Sequence, residues 1–225
     1  MKPLLRNPVY HSLCLNDNHL GFVSGKVAAF EEAVSPFAGF EEGYAAGFDE
    51  LYNQLPAGRS ILYATPLAFT PPKHWKLAAA IEGLQFLLED AAKPNIEFTP
   101  TPLTEAHVPQ MIALAQLTKP GPFGPRTIAF GHYHGVFQNG QLVAMAGQRL
   151  HIEQYTEISA VCTHPDFLGK GYASALVQHQ AAHILSNNQV PFLHVRADNK
   201  RAIEVYQRIG FAVQGRMDFY FLKKE

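Results

Sequence analysis

A glycine-rich entry to a helix is the feature that most constrains the fold of this chain. The apolar segment from Ile158 to Thr163 stops before a proline, Gly169 and Gly171 follow, and a long helical pattern then begins. Such an entry brings unpaired backbone N–H groups and the positive end of the helix dipole to one point. Glycine lets an anion come close because it has no Cβ. We therefore expect a strand, a turn and a helix that together bind a phosphate group.

Three phosphate-binding motifs compete for this loop. The P-loop is excluded, because no Gly-Lys-Ser/Thr occurs in the chain. The dinucleotide fingerprint G-x-G-x-x-G/A matches only in part, since Ser174 stands at its last position. The third motif is Q/R-x-x-G-x-G/A, the acetyl-coenzyme A pyrophosphate loop of the GNAT superfamily of N-acetyltransferases. The loop from Leu168 to Ala173 resembles it, with Leu168 in place of Gln or Arg. Backbone groups supply most donors in such a loop, so this departure is tolerable.

The sequence after the loop adds a second GNAT motif. Apolar residues at helical spacing predict a first helix: Ala173, Leu176, Val177, Ala181, Ile184 and Leu185. Pro191 to Arg196 then has the pattern of a buried strand. Asn199 opens a second helix that Gly210 ends, with this apolar face: Ala202, Val205, Tyr206 and Ile209. The run from Asp198 to Phe211 closely resembles the final GNAT motif, Asn-x-x-A…Y-x-x-x-GF.

The resemblance covers about residues 95–225 and is closest to the glycine-N-acyltransferase-like branch of GNAT proteins. It implies the GNAT acyl-CoA N-acyltransferase fold, a mixed α/β structure with a mostly antiparallel sheet flanked by helices. The residues predict the same element order: β, α, short α, β, β, β, α, β, α, β, β. The predicted order includes a helix from Thr104, a hairpin that turns at Asn139-Gly140 and a strand from Tyr155 to His164. A dinucleotide fold would alternate strands and helices throughout, so this element order argues against that fold.

The region before this domain is harder to interpret. Ala91 to Asn95 marks a change of pattern, which divides the chain into residues 1–94 and a GNAT domain at 95–225. An edge strand is expected from Ile96 to Pro100. Residues 1–94 carry no chemical motif. Their patterns favour helices at 7–15 and 44–55 and strands at 19–23, 60–64 and 75–88. This mixed α/β region would suit a degenerate half-copy of the GNAT fold.

The resemblance also implies the cofactor, acetyl-coenzyme A, and its binding residues. In the GNAT pattern, the backbone of the strand before the loop holds pantetheine, and the loop with the start of the helix holds pyrophosphate. The asparagine and tyrosine of the final motif contact the cofactor. The implied cofactor-binding residues are Ala160, Val161, Cys162, Thr163, Leu168, Gly169, Lys170, Gly171, Tyr172, Ala173, Ser174, Asn199, Ala202 and Tyr206.

Two catalytic residues follow from the same resemblance. Tyr206 matches the tyrosine near the thioester sulfur, where a phenol can protonate the leaving thiolate. Glu157 matches the general base of several histone-type GNAT enzymes. A carboxylate in an apolar strand is costly to bury unless it is used or paired. A salt bridge to Arg149 across the sheet is the equal alternative for Glu157.

The loop from Thr118 to Thr127 is a candidate acceptor site. It contains three prolines and follows the first helix of the domain, where GNAT folds commonly shape the acceptor cleft. Phe123 would supply an apolar wall, and Arg126 would bind a carboxylate on the amine. In the alternative interpretation, Arg126 caps a helix or pairs within the protein.

Composition excludes several classes of function. A net charge of −1 and a pI near 6.8 argue against nucleic acid and against a polybasic membrane patch as partners. Two cysteines, Cys14 and Cys162, make no disulfide framework, and no signal peptide or membrane-spanning run is evident. A soluble, cytoplasmic protein is expected. His179 and His183 lie four residues apart but lack the Glu of H-E-x-x-H, so no metal site is expected.

The sequence therefore favours an acetyl-CoA-dependent N-acetyltransferase. It would move an acetyl group directly to a primary amine of a small molecule or peptide in a ternary complex. A non-catalytic acyl-CoA-binding module is the first alternative, and an NAD-dependent oxidoreductase is the second. The acceptor, the length of the acyl chain and the oligomeric state stay open.

Overall fold

The computed structural model of the protein describes residues 1–88 and 99–225. Its α-helices are α1 (Pro8–Cys14), α2 (Gly47–Gln54), α3 (Val108–Thr118), α4 (Tyr172–Ser186) and α5 (Lys200–Ile209). Its strands are β1 (Gly21–Ser24), β2 (Val27–Phe30), β3 (Ala38–Phe40), β4 (Ser60–Thr65), β5 (Trp75–Ile81), β6 (Gly83–Leu87), β7 (Thr101–Pro102), β8 (His134–Gln138), β9 (Gln141–Ile152), β10 (Tyr155–Thr163), β11 (Val190–Arg196), β12 (Ala212–Arg216) and β13 (Asp218–Lys224). Short 3-10 helices lie at Pro3–Arg6, Asn18–Leu20, Glu105–His107, Thr127–Phe130 and Pro165–Phe167.

A seven-stranded sheet forms the centre of the molecule, in the order β12-β6-β11-β10-β9-β8-β7. Neighbouring strands of this sheet are antiparallel except β10 and β11, which are parallel. Helix α4 packs on β9, β10 and β11, while α3 packs on β9 and β10. The predicted GNAT architecture, a mostly antiparallel sheet flanked by helices, is confirmed.

Each face of the sheet has its own hydrophobic core. Leu193 and Val195 of β11 pack with α4 and α5, in a cluster that also holds Ile158. Phe192 of β11 packs in the larger cluster with α1, α3 and the N-terminal strands. Alternate residues of one strand thus serve two cores, as expected for a sheet covered on both faces.

Each part of the chain, N-terminal and C-terminal, contributes one strand to a sheet formed mainly by the other part. Strand β6 lies between β12 and β11 in the central sheet, whereas β13 lies between β4 and β5 in a separate three-stranded sheet. A third sheet contains β1, β2 and β3. Each part therefore completes a sheet of the other. The predicted boundary at 91–95 and most of the predicted edge strand at 96–100 lie outside the described residues, and the division into 1–94 and 95–225 stays a prediction.

Most predicted elements form where the local signals are strong. The hairpin turn has left-handed backbone at Asn139 (φ 50°) and Gly140 (φ 79°), as a two-residue Asn-Gly turn requires. Helix α5 ends at Gly210 with φ 111°. The strand predicted from His19 begins only at Gly21, because His19 lies in a 3-10 helix. None of the helices in residues 1–88 and 99–225 is long and apolar enough to cross a membrane.

Candidate active site

The parallel strands β10 and β11 separate along their length. They pair at Tyr155 with Val190, at Thr156 with Pro191 and at Glu157 with Phe192. Beyond these pairs, β10 continues to Thr163 and β11 to Arg196 without pairing to each other. The unpaired stretches open a slot, here called the β10–β11 slot, at the carboxyl ends of both strands.

A bulge lies in β10 where it borders this slot. The stretch from Ser159 to Cys162 is one residue longer than the opposing stretch from Gly147 to Met145 on β9. Ala160 has a left-handed backbone with φ 54°, which is unusual for a residue with a side chain. A bulge redirects backbone N–H and C=O groups out of the ladder. On the side of β10 that is not paired to β11, backbone groups beyond Glu157 are available to an extended ligand that pairs as a strand would.

The entry to α4 has the conformation that the glycines predict. Gly169 has φ 80° and Gly171 has φ 79°, both in the left-handed region that favours glycine. A Cβ at either position would have no atom within 4 Å, so the space in front of the loop is open. Gly171 is the N-cap of this 15-residue helix and supplies no capping side chain. An anion can take the place of the missing cap.

The side chains of the same loop add little to this backbone site. Leu168 is 48% exposed, where the family motif has Gln or Arg. The Lys170 ammonium lies 4.8 Å from the centre of the Phe167 ring. The Ser174 hydroxyl accepts a hydrogen bond from the Gln178 amide at 3.1 Å. The predicted contribution of Gly169 to Ser174 therefore depends on backbone N–H groups.

Helix α5 begins at the end of β11, as α4 begins beyond the end of β10. The Asn199 side chain accepts a hydrogen bond from the Ala202 N–H at 3.2 Å and so caps α5. The sequence predicted Asn199 as a capping residue and, by resemblance, as a cofactor contact. The structure shows the cap. Two helix N-termini follow the two strands that separate at the slot.

Tyr206 packs on the α4–α5 side of the sheet. It is 7% exposed, and its ring lies 6.3 Å from that of Phe86 and 6.2 Å from that of Phe211. Burial raises the pKa of the Tyr206 phenol, and the nearby Cys162 thiol raises it further. Its hydroxyl makes no hydrogen bond to any residue in the described parts of the chain. A phenol in this environment stays protonated at neutral pH.

Cys162 is buried in β10 among apolar residues. Burial raises the pKa of the thiol to about 11, although a hydrogen bond from Thr118 opposes this rise. A thiol with so high a pKa is unreactive at neutral pH. Cys162 can therefore border the slot without competing as a nucleophile.

Glu157 is an ion-pair partner in the structure. It is 1% exposed, and Arg149 donates to it from Nε at 2.8 Å and from Nη2 at 2.7 Å. The Nδ1 of His194 lies 2.7 Å from the same carboxylate. Burial raises the pKa of Glu157, but Arg149 and then His194 lower it to about 2. So acidic a carboxylate is a poor general base. The salt bridge to Arg149, one of the two predicted roles, is present in the structure, and the general-base role stays a prediction.

The two predicted catalytic residues also lie on opposite faces of the sheet. Ile158 belongs to the same hydrophobic cluster as Tyr206. Glu157, one residue earlier on β10, points to the other face, where its partner His194 contacts the rings of Phe192 and Phe219. Glu157 and Tyr206 therefore do not meet.

The predicted acceptor loop is tied to the rest of the protein. The Phe123 ring packs edge-on against Tyr133, with centroids 5.7 Å apart. The Arg126 guanidinium pairs with Glu31, and its backbone N–H donates to the Ala33 carbonyl at 2.9 Å. Both charged side chains are about half exposed. Arg126 thus has the internal acidic partner of the alternative interpretation.

Sequence reasoning missed several residues of this region. His194 lies inside a strand that was interpreted only as buried, and Gln85 belongs to β6, far from any motif. Tyr133 has a buried hydroxyl without a partner among the described residues. The available signal for His194 was that it is a polar residue inside an otherwise apolar strand. Gln85 gave no signal, because its pairing with β11 spans more than a hundred residues of the chain.

Two histidines of α4 form ring pairs with His132, which lies just before β8, and with His134, the first residue of β8. His132 lies 4.2 Å from His183, and His134 lies 4.4 Å from His179, measured between ring centroids. In the described residues no three His, Cys, Asp or Glu side chains are placed to hold a metal ion.

Comparisons with known proteins give the family. The model of the FR47-like protein family matches residues 133–220. A solved structure described as an acetyltransferase of the GNAT family, from Novosphingobium aromaticivorans DSM 12444, shares 31% identity over 100% of both chains, with a TM-score of 0.91. The chain therefore belongs to the GNAT family of acetyltransferases.

More distant structures agree in fold. The GCN5-related N-acetyltransferase from Kribbella flavida has a TM-score of 0.58 at 16% identity, covering 91% of this chain and 88% of its own. A GNAT acetyltransferase from Colwellia psychrerythraea has a TM-score of 0.54 at 14% identity, covering 94% and 83%. No curated protein matches the chain significantly.

Proposed function

We propose that the protein is an acetyl-CoA-dependent N-acetyltransferase that transfers an acetyl group directly to a primary amine of a small molecule or peptide. The observation that carries the proposal is the β10–β11 slot, which leads to the glycine-entered N-terminus of α4. An extended arm with a diphosphate at its end fits these two features. The glycine-N-acyltransferase-like branch and a cytoplasmic location remain predictions from the sequence.

Backbone groups would hold the cofactor. Beyond Glu157, β10 is not paired to β11, so its N–H and C=O groups on that side, in the stretch that contains the bulge at Ala160, would pair with the amides of pantetheine. The N–H groups at the start of α4 would bind the pyrophosphate, which Gly169 and Gly171 allow to approach closely. Acetyl-CoA supplies an activated acetyl group as a thioester.

Catalysis would depend mainly on the positioning of the amine and the thioester and on one proton donor. The amine nitrogen attacks the acetyl carbonyl, a C–N bond forms and the C–S bond breaks. Backbone N–H groups of the slot would stabilise the negative charge on the carbonyl oxygen. Tyr206 would give its proton to the departing sulfur, since burial keeps the phenol protonated. With Glu157 occupied by Arg149, the amine would lose its proton to water.

Calorimetry with coenzyme A, followed by thiol release from acetyl-CoA with a panel of primary amines, tests the proposal. Micromolar binding and amine-dependent thiol release are expected. Binding without turnover of any amine would favour the non-catalytic acyl-CoA-binding module. Binding of NAD without binding of coenzyme A would favour the oxidoreductase and contradict the proposal.

A further inference from the structure

We propose that Glu157 is a positioning residue, which acts with His194, Arg149 and Gln85 to fix the point where β10 and β11 separate. These four side chains are here called the polar row. The inference rests on the proposed function, because it assumes that the β10–β11 slot binds an acyl-CoA.

The polar row crosses four adjacent strands. Gln85 on β6 is directly opposite His194 on β11, and their side-chain nitrogens lie 2.9 Å apart. Glu157 on β10 is directly opposite Arg149 on β9. These outer two contacts therefore reinforce strand pairs that the backbone already holds.

The middle contact is different. Glu157 pairs in register with Phe192, the last residue of β11 that is paired to β10, and His194 lies two residues further along. The 2.7 Å bond from His194 to Glu157 thus joins the two strands just past the point where their backbones part. A side-chain bond at this vertex sets the distance between the strands at the base of the slot.

The protons of the row are fixed by their partners. Glu157 is ionised at neutral pH, so Nδ1 of His194 must be the donor toward it. The Gln85 amide nitrogen lies 2.9 Å from His194 Nε2 and donates to the Leu5 carbonyl at 2.9 Å. One amide hydrogen serves each of these two groups. The row therefore has one consistent direction of donation, from β6 to the carboxylate.

Burial makes the row resist displacement. The side chains of Arg149, Glu157 and His194 are 12%, 1% and 4% exposed, and the Arg149 guanidinium also lies 4.7 Å from the centre of the Phe37 ring. Moving either strand would leave a buried charge without its partner, which is strongly unfavourable. The bulge at Ala160 begins only a few residues beyond Glu157, in the stretch of β10 that borders the slot. A change at the vertex would thus move the groups that hold the cofactor.

Substitution of His194 tests this role. Leu and Asn have the same shape, but only Asn keeps an N–H donor near the position of His194 Nδ1. His194→Leu should weaken coenzyme A binding about tenfold, the effect that loss of one hydrogen bond to a charged group can have. His194→Asn should retain most of the affinity. His194→Phe should resemble Leu while keeping the ring between Phe192 and Phe219, so it provides the same comparison with conserved packing.

A second His–carboxylate bond is the matched control. The Nδ1 of His151 lies 2.8 Å from Asp17, and His151 is opposite Thr156, on the closed side of the point where β10 and β11 separate. His151→Leu and His151→Asn should differ in melting temperature but bind coenzyme A equally. If His194→Leu and His194→Asn also bind coenzyme A equally, the proposed positioning role is wrong, whatever the melting temperatures of the two variants. If the wild-type protein does not bind coenzyme A at all, the proposed function fails instead.

The pH dependence separates positioning from base catalysis. In Glu157→Gln, positioning predicts a higher Kd for coenzyme A and a pH–rate profile of the same shape as wild type. A general base would leave that Kd unchanged and remove an ionisation from the profile. The second result would overturn the inference.

Discussion

The two ends of the β10–β11 pair are built in opposite ways. The closed end is held by side chains, with Glu157 bonded to Arg149 and His194 in a buried row. The open end has few side-chain donors and consists of an irregular backbone, from the bulge at Ala160 to the left-handed glycines before α4. The difference shows that the side chains fix the geometry of the slot, whereas the backbone is left to bind the ligand.

The largest effect is expected at the open end, for Gly171→Val. A β-branched residue is strained at φ 79° and puts a side chain where the phosphate should approach, so coenzyme A binding should be lost in calorimetry. Gly140→Val is the control, because Gly140 has the same φ and the same open surroundings in a remote hairpin. Equal coenzyme A binding by the two variants would place the pyrophosphate elsewhere.

Removing the hydroxyl of Tyr206 tests the proposed proton transfer to the departing sulfur. Tyr206→Phe should lower kcat by about 10²-fold, the lower range of general-acid catalysis, with little change in Kd for coenzyme A. Tyr63→Phe, on β4 in the β4-β13-β5 sheet, is a control for loss of a tyrosine hydroxyl. An unchanged kcat in Tyr206→Phe would make the tyrosine a core residue and leave positioning as the source of catalysis.

The ionised Glu157 at the closed end should make the free energy of unfolding depend on pH. The pKa of Glu157 is lowered from 4.5 to about 2 on folding, so its stabilising contribution is present above pH 4.5 and is lost as the pH falls toward 2. Urea unfolding of wild type and Glu157→Gln should therefore differ most near neutral pH. The difference should shrink below pH 4.5. A constant difference down to pH 3 would contradict the ionised pair.

The smallest effect is expected in the acceptor loop. Arg126→Ala should raise KM for a carboxylate-bearing amine several-fold and leave KM for acetyl-CoA nearly unchanged, if Arg126 can exchange Glu31 for the acceptor. Glu31→Gln should then lower KM for the amine, since it frees the guanidinium. If both variants change KM for the two substrates equally, Arg126 only anchors the loop.

Local signals made the open end predictable from sequence. Glycines at left-handed positions and the cap at Asn199 each act through a few neighbouring residues. Spacing and order then identified the family. The backbone conformation at Gly171 follows from the residue type itself.

The closed end could not be predicted, because it is assembled from distant parts of the chain. Gln85 meets His194 only because β6 inserts between β12 and β11, and such long-range pairing leaves no mark in the local pattern. Glu157 looked like a base by its position in the strand. Its bond to His194 could not be foreseen, and Arg149 was visible in advance only as one of two alternatives.

Hydrogen exchange of backbone amides, with and without coenzyme A, tests the central claim most directly. Coenzyme A should slow exchange along β10 from Ala160 to Thr163 and at the loop from Gly169 to Ser174, because the ligand pairs with these N–H groups. The hairpin of β8 and β9 around Gly140 should be unaffected. Protection confined to other parts of the chain, with both segments exchanging at their free rates, would contradict a cofactor site in the β10–β11 slot.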